Sequence, residues 1–450
     1  MPLYACLIPL AIASNLGSGG LAVSALTETR ADQSLAFIDV DVLPMDTDRV
    51  LSNQTVLVRA GQITWIGPAA EADTPEDALE IPGNGRFLAP GLIDMHVHVM
   101  SADELPLYVI NGVTTVRNMW GNPDHLRWRA EIESGDRIGP NMLTCGAILD
   151  GFPAQLPGSA ELASIDDAFL AIEEQAEAGY DFIKVYNRLT PEIYEAVVAI
   201  ATEFELEVVG HVPRAVGLDQ VLAAGQHSIE HLWGYPAAMH APSSTAFPSW
   251  AFDLDARLLS DLCTRTASAH VWNTPTLVMW EGQELSAAET RAFLERDEIS
   301  LVPSTLRRMA FGQPYEEAND LPADERACRR ENRLAVVRAL HQSGAGLLLG
   351  TDTGNPFVLP GFAVHDELAL LIEAGLSHHA AIASGTTNVG RFLGLNIGTL
   401  EVGARADLVL VEKNPLKDPA TLRRPSGVAI NGRWLDAAKL AALRTEIEER

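Results

Sequence analysis

Short apolar blocks separated by turn residues begin at Ala36 and run to about Arg86, the alternation of half-buried strands. Thr55–Arg59 and Ile63–Ile66 are two such strands, linked by Ala60-Gly61-Gln62. From Phe87 to about Leu395 the period changes. Short apolar stretches now alternate with longer helical ones, the signature of parallel βαβ units. The candidate strands are Gly91–Val99, Thr114–Asn118, Met142–Leu149, Phe182–Tyr186, Glu207–Val212, Ser228–Leu232, Val271–Val278 and Gly346–Thr351. Eight is the number that closes a (β/α)₈ barrel. Beyond Gly398 short strands return, in ADLVLVEKN (Ala406–Asn414) and GVAINGRWL (Gly427–Leu435). The pattern therefore predicts an α/β chain in which a TIM-like barrel carries a small β-sandwich built from both chain ends. The expected divisions are 26–88 and 397–450 for the sandwich, the latter with a C-terminal helix, and 89–396 for the barrel.

Two connections are long, Trp233–His270 and Trp280–Ala345, and within the second Ala323–Gly344 reads as a helix. Long loops on the C-terminal face of a barrel shape its pocket. At the start of the chain, MPLYACLIPLAIASNL is apolar but short for a membrane span, and Val23-Ser24-Ala25 suits signal peptidase. Residues 1–25 are thus read as a signal peptide, with export to the periplasm or beyond. Against this, no Lys or Arg precedes Arg30, and without cleavage the protein would stay cytoplasmic.

Composition adds exclusions. Hydrophobic residues are 47% and charged residues 20% of the 450, which is globular rather than disordered. A formal charge of −28 disfavours nucleic acid and anionic lipid as partners. It leaves a small-molecule substrate, with a homo-oligomer open. Cys6, Cys145, Cys263 and Cys328 include no CxxC pair, so neither a zinc knuckle nor a disulfide framework is expected.

The chemistry lies at strand ends. His96 and His98 are two apart on the first strand, so their imidazoles project to the same side and suit a zinc-like ion. Lys184 sits inside an apolar fourth strand, where an ammonium is costly unless an acid pairs with it. His211 and His231 end the fifth and sixth strands, separated by a short helix over Leu218–Ala224 that Gly225 closes. Asp352 ends LLLGTDTG, a strand too apolar for an acid without a cation or proton to meet. Asp94 shares the inward face at a deeper level and is expected to orient a ligand. His125, His240, His341, His378 and His379 read as solvated, and His227 as lying at the far end of its strand. His270 and His365 are weaker candidates for touching substrate.

With PGLIDMHVH, SIEHL and LGTD in this order, and ADLVLVEKNPL following, the sequence resembles the amidohydrolase superfamily from about Phe37 to Arg433. The resemblance implies metal ligands at His96, His98, Lys184, His211, His231 and Asp352. It also implies two divalent ions, zinc with manganese or cobalt as substitutes, bridged by a CO₂-derived carbamate on Lys184. Asp352 would take the proton from a hydroxide-forming water between the ions and return it to the leaving amine. Lysine on strand four marks the two-metal branches, and VVGHVP to SIEHLWGY resembles the prolidase-like and N-acyl-amino-acid carboxypeptidase-like group. The implied activity is hydrolysis of a C–N bond in a dipeptide or N-acyl amino acid. Cyclic-amide, lactone and organophosphate hydrolysis are alternatives on the same site, and a catalytically silent binding protein is a remote one. Tyr186, two residues past Lys184, points inward; Arg188 and Arg214 follow the fourth and fifth strands. These three are expected to bind substrate, the arginines by gripping a carboxylate unless they pair with surface acids.

Overall fold

The computed structural model describes residues 33–239, 250–304, 307 and 321–449. The expected signal peptide and His240 lie outside the described residues, as do parts of both long connections. Among the described residues no helix is long and apolar enough to cross a membrane.

The barrel closes through eight segments. Leu92–Val97, Val113–Asn118 and Asn141–Thr144 form one parallel ladder. Phe182–Val185, Glu207–Gly210, Ser228–Glu230 and Trp272–Thr274 form another. Bridges join the two at Cys145–Phe182 and extend the second at Asn273–Leu347. The eighth stretch then returns to the first, with the Met95 amide donating to Leu349 O (2.8 Å) and the Asp352 amide to His96 O (2.7 Å).

Three strands differ from the sequence expectation. The third, expected over Met142–Leu149, breaks after Thr144, and Leu149–Gly151 continues as a separate strand that bridges Val185 of the fourth and pairs with Ala160–Leu162. Gly146 marks the break: a Cβ there would meet the Gln175 side chain at 2.6 Å. The seventh stops at Thr274 because Pro275 has no amide to donate and Thr276 takes φ +49° before a helix over Leu277–Gln283. The eighth forms isolated bridges rather than a ladder, Asn273–Leu347 on one side and Val97–Thr353 on the other, held by backbone hydrogen bonds to both neighbours. The described parts of the long connections are helical, including Ala256–Ser268 and Ala323–Ser343.

Both chain ends meet in one eight-stranded mixed sheet. Phe87–Pro90 pairs antiparallel with Leu408–Val411 and parallel with Asp41–Val42. Its two tight hairpins turn at Ala60-Gly61 (φ +48° and +73°) and Asn431-Gly432 (φ +50° and +71°), the left-handed pair such turns require. The sheet encloses its own core of Leu35, Phe37, Val56, Leu408, Leu410 and Trp434. It is tied to the barrel's N-terminal end by buried Asp407, which accepts from Asn141 Nδ2 at 3.0 Å and pairs with Arg405. Function therefore has the opposite, C-terminal end of the barrel to itself.

Candidate metal centre

His96, His98, Lys184, His211, His231 and Asp352 all project from the C-terminal ends of barrel segments, and every one is buried. Lys184 Nζ lies 3.3 Å from His96 Nε2. Asp352 Oδ1 is 3.0 Å from His98 Nε2 and 3.4 Å from His96 Nε2, while Oδ2 is 3.5 Å from His231 Nδ1. The His211 and His231 rings stand edge-on with centroids 5.0 Å apart, and those of His96 and His231 are 4.4 Å apart. Ligand atoms of His96, His231 and Asp352 fit within 4.8 Å of one another, a spacing one ion can bridge.

The backbone is bent to achieve this. His231 and Asp352 adopt φ +58° and +61°, a left-handed conformation that costs energy in a residue with a Cβ. Gly210, at φ +126° before His211, approaches Val185 O so closely that a Cβ would sit 2.3 Å from that oxygen. Only glycine lets the fourth and fifth strands bring Lys184 and His211 side by side.

The electrostatics favour neutral imidazoles. Burial pushes the His231 pKa down to about 4, and burial also drives His96 and His211 well below the usual range, helped by Lys184 and His231. Burial lowers the Lys184 pKa too, against the pull of Asp352 and Glu230. Burial works to raise the Asp352 pKa, but His231, His96 and His98 outweigh it and keep the carboxylate ionised. Buried Asp352 Oδ1 has ring nitrogens of His98 (3.0 Å) and His96 (3.4 Å) beside it, and His98 Nδ1 is buried without a hydrogen-bond partner. Imidazole nitrogens and a carboxylate gathered in a dry space call for a cation, and this donor set fits divalent ions.

Around the cluster, three imidazoles have a hydrogen-bond partner on Nδ1. Glu230 Oε2 lies 2.7 Å from His96 Nδ1, Asn187 Oδ1 2.9 Å from His211 Nδ1, and Thr276 Oγ1 2.8 Å from His231 Nδ1. Sequence reasoning missed these residues, and with them Arg117, whose Nη2 donates to Glu230 Oε1 at 2.9 Å. A signal existed. Ser228 and Glu230, like Thr115 and Arg117, alternate along short apolar strands, which puts polar groups inside the barrel. Asp94 does not touch an imidazole. It accepts from the His96 amide (3.3 Å), the Thr351 amide (3.0 Å) and Thr351 Oγ1 (2.6 Å), so it fixes the first strand against the eighth.

Of the expected substrate contacts, Tyr186 is buried beside the cluster, its ring 4.3 Å from that of His211. Arg188 and Arg214 are exposed and stand outside the buried group. Arg188 Nη1 donates to Pro153 O at 2.7 Å. His125, expected in solvent, is instead buried; Nδ1 accepts the Asn122 amide and Nε2 faces Val99 O at 2.9 Å. His365 is also buried, its Nε2 2.9 Å from Asn111 O. Aromatic rings crowd the mouth: Trp120 stands 6.3 Å from His98 and Trp233 5.3 Å from His211, with Trp280 next to Trp233.

Comparison with known proteins agrees with this geometry. Residues 87–435 match the amidohydrolase family, and the chain belongs to it. The family generally uses divalent metal ions. Among solved structures, bottromycin amidohydrolase is 28% identical with a TM-score of 0.75, the match covering 93% of this chain and 91% of that one. A putative prolidase from Bifidobacterium longum has the same fold, with a TM-score of 0.67 at 23% identity over 92% of this chain and 99% of its own. Imidazolonepropionase of Shewanella frigidimarina is 40% identical over 75 residues, 15% of this chain but only 18% of that enzyme.

Proposed function

We propose that this chain cleaves the amide bond of a dipeptide or N-acyl amino acid at a two-metal site. His96, His98, Lys184, His211, His231 and Asp352 are the ligands, zinc is the favoured ion, and Lys184 is carboxylated. The observation that carries this reading is the convergence of those six buried side chains, with Asp352 Oδ1 at 3.0 Å from His98 Nε2 and Lys184 Nζ at 3.3 Å from His96 Nε2. A lysine whose ammonium form burial disfavours is a free amine more of the time, and a free amine adds to CO₂ with loss of one proton. When bound, divalent ions supply a water of lowered pKa and polarise the scissile carbonyl. Asp352 accepts the water's proton on Oδ1 and delivers it to the nitrogen of the leaving amine. Tyr186 and the tryptophans around the mouth exclude bulk water and flank the acyl side of the substrate.

The likeness to bottromycin amidohydrolase and to a prolidase supports a peptide-type amide over a lactone or phosphotriester. At the rim, Arg188 and Arg214 face solvent beside a dication pair on a chain of charge −28, which suits an anionic substrate end. The test compares hydrolysis of N-acyl amino acids with that of their C-terminal amides in the zinc-loaded enzyme. The acids should be cleaved faster. Arg188→Ala or Arg214→Ala should lower kcat/KM for the acid by about 10- to 100-fold, the worth of one charge-assisted contact, and leave the amide unaffected. Equal rates for acid and amide in the wild type contradict the carboxylate anchor.

A further inference from the structure

We propose that Arg117 and Glu230 form a buried relay that sets the tautomer of His96 and so tunes its strength as a metal ligand. The proposal rests on the metal-site reading above. Both residues are fully buried, and Glu230 touches the ligand cluster at His96. Arg117 is held on every side. Its Nε donates to Met95 O (2.7 Å), Nη1 to Ser228 Oγ (3.2 Å), and Nη2 to Glu230 Oε1 (2.9 Å) and Thr274 Oγ1 (3.4 Å). Its guanidinium carbon lies 5.6 Å and 5.2 Å from the ring centroids of Phe182 and Phe392. Ser228 Oγ adds a 2.5 Å hydrogen bond to the same Glu230 Oε1. With Oε1 taken twice, Oε2 is left for His96 Nδ1 at 2.7 Å.

The two sides of the ring then agree. A carboxylate oxygen only accepts, so Nδ1 must carry the hydrogen. On the far side Nε2 has the Lys184 amine 3.3 Å away, a donor to its lone pair, with Asp352 Oδ1 slightly farther at 3.4 Å. Nε2 is therefore presented to the cluster as an acceptor before any ion arrives. A hydrogen bond from the rear nitrogen to a carboxylate makes an imidazole a better ligand, and losing such a partner typically costs about 10- to 100-fold in metal affinity. Arg117 acts through Glu230, and Glu230 through His96; both are positioning residues.

Removing one member alone would strand a buried charge and threaten folding, whereas replacing both with apolar groups of similar size is commonly tolerated. The first measurement is therefore zinc affinity, by competition with a chromogenic chelator, in metal-free wild type and in Arg117→Met/Glu230→Met. The double variant should melt within a few degrees of the wild type and bind zinc about 10- to 100-fold more weakly. Arg117→Met/Glu230→Gln, which keeps an acceptor oxygen for the His96 N–H, should recover most of that loss. A purely structural pair would show neither the loss nor the recovery. The second measurement needs no relay variant. The ¹⁵N imidazole signals of metal-free wild type, with His96 assigned by its disappearance in His96→Asn, should show the Nδ1–H tautomer. Wild-type zinc affinity in the folded double-Met variant, or an Nε2–H tautomer in the wild type, overturns the relay. A wild type that binds no zinc would instead defeat the metal reading, and the tautomer result would still decide the relay.

Discussion

At the scale of single residues, the account turns on Lys184. It is 1% exposed, and its Nζ has an imidazole nitrogen 3.3 Å away. An unmodified ammonium there would repel the ions its neighbours are arranged to hold. Lys184→Ala should therefore lose most of its bound metal and at least about 100-fold in kcat/KM, since removing a ligand costs more than removing a ligand's partner. Added formate or acetate should restore part of both, by placing a carboxylate where the carbamate stood. Metal content and activity, measured with and without formate, check this. Full activity without added carboxylate removes the carbamate from the mechanism. The six candidate ligands could be singled out in the sequence because each is an ionisable residue at the end of an apolar strand, a position that invites explanation. The groups around them could not. Glu230 finds its imidazole across the barrel, and Asn187 and Thr276 find theirs on the neighbouring strand; such pairings depend on strand stagger that no local pattern encodes.

Among the elements, five of the first six barrel strands could be placed from apolar runs and period, the third ending early at Thr144, and the hairpin joining Thr55–Arg59 to Ile63–Ile66 from its linking residues. The ends of the seventh and eighth were overrun, because Pro275 and the left-handed turns at Thr276 and Asp352 override strand propensity to aim the site. One helix junction carries its own titration. Glu367, in the helix Ala363–Glu373, accepts from the Val278 amide at 2.7 Å at the start of the helix Leu277–Gln283. Its other oxygen is buried without a partner, and burial pushes its pKa up to about 8. A raised carboxyl pKa means the folded state holds a proton that the unfolded chain releases above its ordinary value of 4.5. The stability it contributes is complete below that value and is lost as the pH rises towards 8. Glu367→Gln mimics the protonated form and does not titrate. The variant should gain on the wild type between pH 4.5 and 8, by about 3 kcal/mol at pH 7. Melting curves across that range check the trend, and a constant difference between the two proteins contradicts it.

Over the whole molecule, the division of labour follows from where the chain ends go. The mixed sheet grips the N-terminal end of the barrel through Asp407, with Asn141 Nδ2 on one of its oxygens and the Gly91 amide donating to its main-chain carbonyl at 2.9 Å. Strained backbone at His231 and Asp352, six buried candidate ligands and a ring of aromatic side chains gather at the other end. A closed barrel anchored at its base can hold such a costly arrangement, which an isolated loop could not. The central claim is that this end holds two ions, because six donors drawn from five strands exceed what one tetrahedral zinc can use. Elemental analysis of protein stripped of metal, reconstituted with zinc and bicarbonate and freed of excess ion tests that claim most directly. The account predicts two zinc ions per chain; a value of one or none would contradict it.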